Sequence, residues 1–186
     1  MNSQMQMTVA EDQMPRRMAK MMPESKMCGQ LYLSFTLGTE MFGIDIKRIR
    51  EIIEYTHPTT VPMMPNTLRG VINVRGGVVP VVDLAVRFGW PAVTAGRRTS
   101  IVIVETVHND QKHALGLVVD RVNAVTEIAH EDVEAAPPFG VKVNADFITG
   151  MAKCSGRFLI LLDIERTLSV DELAAVTNAV ARQGAQ

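Results

Sequence analysis

Asp83 and Asp163 stand 80 residues apart in matching settings, "VVDL" and "LLDI". Two carboxylates brought together across a duplicated chain could share one proton and drive hydrolysis. The flanking residues point elsewhere. Neither aspartate is followed by the small hydroxyl residue and glycine that would build such a catalytic loop. Each ends an apolar run ahead of a short helical turn, where an aspartate caps by accepting backbone N–H bonds. Capping is the expected role, and a small-barrel hydrolase using Asp83 and Asp163 is the catalytic alternative.

The other reactive side chains offer less. His57, His108, His113 and His130 lie in polar connections, and the spacing of His108 and His113 around "NDQK" fits no helix-borne zinc motif. Cys28 and Cys154 are the two cysteines, too few for a disulfide framework or a four-thiolate zinc site. They suit a reduced, cytoplasmic setting. A phosphate loop with Lys-Ser or Lys-Thr and a GxSxG elbow are both missing from the sequence. The expectation is a protein without catalysis, cofactor or metal.

Binding chemistry is more visible. "GVINVRGGVVPVVDL" (residues 70–84) reads as two apolar strands broken by Arg75, Gly76 and Gly77. A planar guanidinium at a hairpin tip is a good anchor for a partner's carboxylate. Glu51 is the nearest candidate to pair with it and orient it.

The elements that must hold these residues are mostly strands. "LYLSFTL" (31–37) alternates with period two, as a half-buried strand does. "GTE" turns the chain and "MFGIDI" returns as a second strand. Ile46, Ile49 and Ile53 then fall at helical spacing, which predicts a short helix with Glu51 near its end. Pro58, Pro62 and Pro65 mark an irregular connection before the Arg75 hairpin, and "LAVRFG" is one helical turn or two. "SIVIVE" is a strand, "VHNDQKH" a polar turn region, "HALGLVVDRV" another strand and "AAPPFG" a loop. "FITGMAKC" and "RFLILLDI" form a last hairpin around Ser155 and Gly156. Ser169 and Glu172 make a capping box for a C-terminal helix over 169–182, with Leu173, Val176 and Val180 on its apolar face. Residues 1–28 are expected to be a mobile tail, because they hold eight of the twelve methionines and no aromatic or isoleucine.

Short strands with turns between them indicate an all-β chain with minor helices, and disfavour a Rossmann-type parallel sheet. The formal net charge of -1 and an aromatic content of 5% speak against nucleic acid as a partner. No apolar run approaches the roughly 18 residues of a membrane span, so direct insertion is not expected. A continuous apolar signal segment is also missing at the start.

The chain repeats itself. "RGVINVRGGVVPVVDLAVRF" lies over "TGMAKCSGRFLILLDIERTL" with Gly70 on Gly150, Gly76 on Gly156 and Asp83 on Asp163. "MFGIDIKRIREIIE" lies over "ALGLVVDRVNAVTE" at a spacing of 73 residues, with Gly43 on Gly116 and Glu54 on Glu127. The Pro-rich connections absorb the difference in spacing. The copies run over about 30–90 and 99–168, and imply two similar small barrels packed together, each closing its sheet to remove exposed edges. Positions that the fold needs should agree between copies. Arg75 faces Ser155, Glu51 faces Ala124 and Arg50 faces Asn123, so the first copy holds charges the fold itself does not require.

"FTLGTEMFGIDIKRIREII", "LRGVINVRGGVVPVVDL", "ALGLVVDRVNAV" and "ITGMAKCSGRFLILLDIERTL" together resemble the CheW-like coupling domain of bacterial chemotaxis, across roughly residues 30–170. The resemblance implies two intertwined SH3-like barrels within a domain at 29–170. It implies a scaffold that joins the cytoplasmic tip of chemoreceptors to the regulatory domain of the histidine kinase CheA, in membrane-associated receptor arrays. It places Arg75 and Glu51 at the family's coupling positions and Ile49 and Gly70 on the first barrel's contact region. Val119, Val122 and Val125 fall at apolar positions of a receptor-facing groove, although their matches to Ile46, Ile49 and Ile52 make them equally good core residues. Gly77 stands where family members often carry a larger residue, which is expected to loosen the Arg75 loop. A CheW-like adaptor of a non-flagellar pathway, such as pilus motility or development, is the alternative within the family.

Overall fold

Ten strands build the computed structural model, which describes residues 29–168 together with Asn178 and Arg182. The expected tail at 1–28 lies outside the described residues. So does the C-terminal capping box and most of its helix. β1 (Gln30–Leu37) and β2 (Glu40–Asp45) form the first hairpin, followed by β3 (Ile49–Glu54). β4 (Leu68–Val74) and β5 (Gly77–Asp83) form the Arg75 hairpin and lead into α1 (Leu84–Arg87). The second copy repeats the series as β6 (Ser100–His108), β7 (Gln111–Val119), β8 (Arg121–Ile128), β9 (Ile148–Cys154), β10 (Arg157–Leu162) and α2 (Ile164–Thr167).

The strands sort into two five-stranded sheets, ordered β8-β1-β2-β10-β9 and β3-β6-β7-β5-β4. Exchanging each strand for its repeat converts one order into the other. Each sheet therefore takes strands from both copies, and the two small barrels are intertwined. The chain crosses between sheets after β2 and again after β7, at corresponding places. Most pairings are antiparallel, but β10 joins β2 and β5 joins β7 in short parallel stretches. Alternate residues of β1 (Leu31, Leu33, Phe35 and Leu37) enter a core shared by both sheets. Phe35 stacks on Phe42 there, with ring centroids 5.8 Å apart.

Three local expectations change. The helix expected over Ile46, Ile49 and Ile53 is only a 3-10 turn, Ile46–Arg48, capped by Asp45, whose Oδ1 accepts from the Lys47 N–H at 3.0 Å. From Ile49 the chain is strand, paired with β6. A bulge between Ile49 and Glu51 lets Ile49 and Ile52 face the core together, and so makes a strand imitate a helical spacing. The run "HALGLVVDRV" is two strands rather than one, divided at Asp120, whose Oδ2 accepts from the Gly38 N–H at 2.6 Å while the chain changes sheets. The polar segment "VHNDQKH" is almost all strand. Only Asn109 and Asp110 turn, both in the left-handed region at φ 50° and 59°, as a two-residue hairpin requires.

The matched pair Gly70 and Gly150 is explained by close approach. Gly70 sits at φ 137°, and a Cβ there would run into the Thr59 carbonyl oxygen, because Thr59 and Val71 form an isolated antiparallel bridge. Gly150 occupies the same place beside the Glu134–Met151 bridge.

Candidate partner-binding surface

Val74 pairs directly with Gly77, so Arg75 and Gly76 alone make the turn at the end of β4 and β5. Both have positive φ, 51° and 83°, the signature of the two-residue turn that matches strand twist. Gly77 belongs to β5 and lies outside the two-residue tip. A left-handed conformation is unusual for a residue as bulky as Arg, and such outliers persist where the surroundings hold them. Beside it, Asn73 Oδ1 accepts a hydrogen bond from the Gly76 N–H at 3.0 Å.

The turn sends Arg75 back toward Glu51. Its Nη2 donates to Glu51 Oε2 at 3.3 Å. Glu51 lies on β3, at one end of the strand order, and Arg75 at the tip of the strands at the other end. The ion pair thus spans the two ends of one curled sheet. The Arg75 side chain is 81% exposed and the Glu51 side chain 19%. An exposed pair of this length adds only about 0–1 kcal/mol to stability. What it fixes is direction: the guanidinium is tethered on one side and open to solvent on the other.

The remaining expected site residues divide by burial. Ile49 is 8% exposed and packs in the shared core. Gly70 is buried against Thr59. Ile49 on β3 and Gly70 on β4 shape the sheet that carries the Arg75 tip rather than offering much surface. Val119 is fully buried and Val125 nearly so, while Val122 is half-buried on β8. Of the three valines, Val122 alone has appreciable surface to give a partner.

Asp83 and Asp163 serve as caps. Asp83 Oδ1 accepts from the N–H groups of Ala85 at 3.0 Å and Val86 at 3.3 Å, and Oδ2 accepts from Val93 N–H at 3.1 Å. Its charge is met by Arg69, Nε to Oδ2 at 2.8 Å, and the same guanidinium reaches Tyr55 Oη at 3.1 Å and the Val93 carbonyl. Burial works against the Arg69 charge, yet bonding to Asp83 and Tyr55 overrides it and holds the group more firmly protonated than usual. With both oxygens of fully buried Asp83 engaged, that carboxylate is committed to structure. Asp163 is more exposed and caps α2 through the Arg166 N–H at 3.1 Å.

Two features were not anticipated from the sequence. One is the Arg69–Asp83–Tyr55 cluster; the other is the Asn73 side chain bonded to the turn. Both were visible to the same comparison of copies that singled out Arg75, since Arg69 faces Thr149 and Asn73 faces Lys153. A cleft of about 480 Å³ also lies between Thr39, Trp90, Asp120 and Lys142. The rings of His108 and His113 approach to 6.5 Å on the β6–β7 hairpin. Among the described residues, no group of three or more His, Cys, Asp or Glu is placed to hold a metal ion.

Comparison with known proteins gives one consistent answer. Residues 31–172 match the CheW-like domain. The chemotaxis protein CheW of Klebsiella aerogenes is 38% identical, over 81% of this chain and 88% of that protein. The chemotaxis protein CheW of Treponema pallidum is 29% identical, over 78% of this chain and 86% of that one. The crystal structure of the scaffolding protein TtCheW from Thermoanaerobacter tengcongensis superposes with a TM-score of 0.69 at 29% identity, covering 81% of this chain and 95% of that one.

Proposed function

The chain belongs to the CheW-like family and is an adaptor of bacterial chemotaxis signalling, and on that premise we propose that it joins chemoreceptor tips to the kinase CheA through the Arg75 hairpin and the surface around Val122. The relatives named for chemotaxis do not favour the alternative of pilus motility or development.

The proposed mechanism is positional and needs no bond to be made or broken. One barrel docks on the kinase's regulatory domain, and the receptor helix lays an apolar face beside Val122, as helices do in grooves. Arg75 supplies a charged anchor whose open donors suit a carboxylate on the partner. Ile49 and Gly70 shape the sheet that carries it. Signalling is then a shift in kinase population through these contacts. Among the described residues, no helix is long and apolar enough to cross a membrane. We place the protein in the cytoplasm, recruited to receptor arrays by its partners.

The observation that supports this reading best is the Arg75–Glu51 pair, which has no counterpart at Ser155 and Ala124 in the second copy. The test is capture of a CheA regulatory domain and a receptor signalling fragment by wild type and Arg75→Ala side by side. Wild type should capture both, and folded Arg75→Ala should lose one. Capture of neither by wild type would overturn the reading.

A further inference from the structure

The Arg75 anchor depends on a backbone conformation that its own side chain disfavours. At φ 51° Arg75 lies in the left-handed region, where an L-residue is disfavoured by about 1–2 kcal/mol. The second copy shows what the strand ends require by themselves: Ser155 and Gly156 turn with φ of 50° and 78°. Residue 153 there is Lys and has no bond to the turn corresponding to that of Asn73. The fold can therefore close this hairpin without an asparagine. In the first copy the asparagine is present, its side chain is exposed, and its Oδ1 takes the Gly76 N–H at 3.0 Å. That amide immediately follows Arg75. Fixing it fixes the peptide plane from which Arg75 departs, and so the direction in which its side chain leaves the turn.

We propose that Asn73 is the positioning residue of the coupling hairpin, locking the turn so that Arg75 meets its partner already aimed. This rests on the Arg75-mediated reading above. Its physical basis is preorganisation. A long, rotamer-rich side chain immobilised only on binding weakens association, and holding it beforehand removes part of that penalty. Loss of the lock should leave the barrel intact and weaken partner binding about two- to tenfold. The effect should pass entirely through Arg75.

The test measures affinity by calorimetry, using the full chain, for whichever of the CheA regulatory domain and the receptor signalling fragment Arg75→Ala binds more weakly, at concentrations that still register that variant's residual binding. The variants are Asn73→Ala, Asn73→Asp, Arg75→Ala and the double variant Asn73→Ala/Arg75→Ala, with amide exchange of Gly76 followed by NMR. Asn73→Ala should bind more weakly and expose the Gly76 amide to exchange. Asn73→Asp keeps the acceptor oxygen and should recover Gly76 protection and most of the affinity. In the Arg75→Ala background, Asn73→Ala should have no further effect, because nothing is left to aim. A structural role alone would weaken binding in both backgrounds, and that result overturns the proposal. So does an Asn73→Ala protein that binds like wild type while Arg75→Ala does not, which leaves the coupling function standing. If wild type binds no partner the functional reading fails, and with it the role proposed for Asn73, whatever the Gly76 exchange shows.

Discussion

At the tip of β4 and β5, Arg75 and Gly76 have φ of 51° and 83°; at the tip of β9 and β10, Ser155 and Gly156 have 50° and 78°. The backbones are near copies, and the attachments differ. One tip carries a tethered guanidinium and an asparagine bonded to the turn, the other a hydroxyl and a lysine. The same division holds deeper in. Asp83 and Asp163 both cap a four-residue helix, and their N–H groups donate to Thr67 and Phe147 carbonyls at the same 2.8 Å. Yet Asp83 is sealed and paired with Arg69, whereas Asp163 is half-open. Backbone geometry is common to the two copies, and the Arg75–Glu51 and Arg69–Asp83 ion pairs on it are peculiar to the first.

The largest break between the copies should come from these caps. Removing Asp83 leaves Arg69 without its carboxylate and several N–H groups unmet, so Asp83→Ala should lose about 3–5 kcal/mol. Asp163→Ala removes a more exposed cap and should lose about 0.5–2 kcal/mol. Urea denaturation measures both, and equal losses would end the distinction drawn here.

Next come the glycines. Gly70→Ala meets a left-handed φ and a backbone oxygen, and should lose about 1–3 kcal/mol. Gly150→Ala meets the Val133 Cγ1 at 2.5 Å and the Glu134 carbonyl oxygen only at 3.0 Å, and has no left-handed strain, so its loss should be smaller. Thermal melting of the pair sharpens the comparison.

The tips should respond weakly in stability and strongly in binding. Ser155→Gly relieves a left-handed residue and should gain up to about 1 kcal/mol. Arg75→Gly gains the same relief but loses its exposed pair with Glu51, so its net change should lie within about 1 kcal/mol of zero. Binding to the kinase domain should nevertheless fall for Arg75→Gly and not for Ser155→Gly. A comparable fall for both would show that the tips are functionally alike.

The smallest effect is one of pH. Tyr32 lies opposite Asp45 in β1, where β6 has Ile101 opposite Val118. Burial, and then the charge of Asp45, raise the Tyr32 hydroxyl above its usual value. The neutral phenol is therefore favoured by folding. That contribution is complete below about pH 10 and is lost as pH rises through the raised folded value. Wild type should lose stability more steeply than Tyr32→Phe above pH 10 in chemical denaturation, and parallel curves would remove this difference between the copies.

Much of this was legible because it is local. Alternation in "LYLSFTL", the turn at Ser155 and Gly156, and the aspartates before "LAV" and "IER" each depend on a few neighbouring residues. The repeat exposed Arg75 and Glu51 because matched positions could be compared. Glu51 was read on a helix because the bulge beside Arg50 shifts a period-two strand onto a three-residue spacing, and only the partner strand β6 reveals the shift. The break at Asp120 was hidden because Val118, Val119 and Val122 carry an apolar pattern across Asp120 and Arg121, although the two sides enter different sheets.

The sequence by itself determined an all-β chain of two repeats, its turns, its caps and the charged residues peculiar to one copy, since these follow from local conformational preference and from comparing like with like. Tertiary structure decided how each sheet would borrow strands from both repeats, that Val119 would be core while Val122 kept some surface, and that the expected Glu51–Arg75 pair would close across the two ends of one sheet. Those outcomes depend on pairings between residues far apart in the chain. Many registers satisfy the apolar pattern, and the energy of packing two curled sheets on one shared core selects among them.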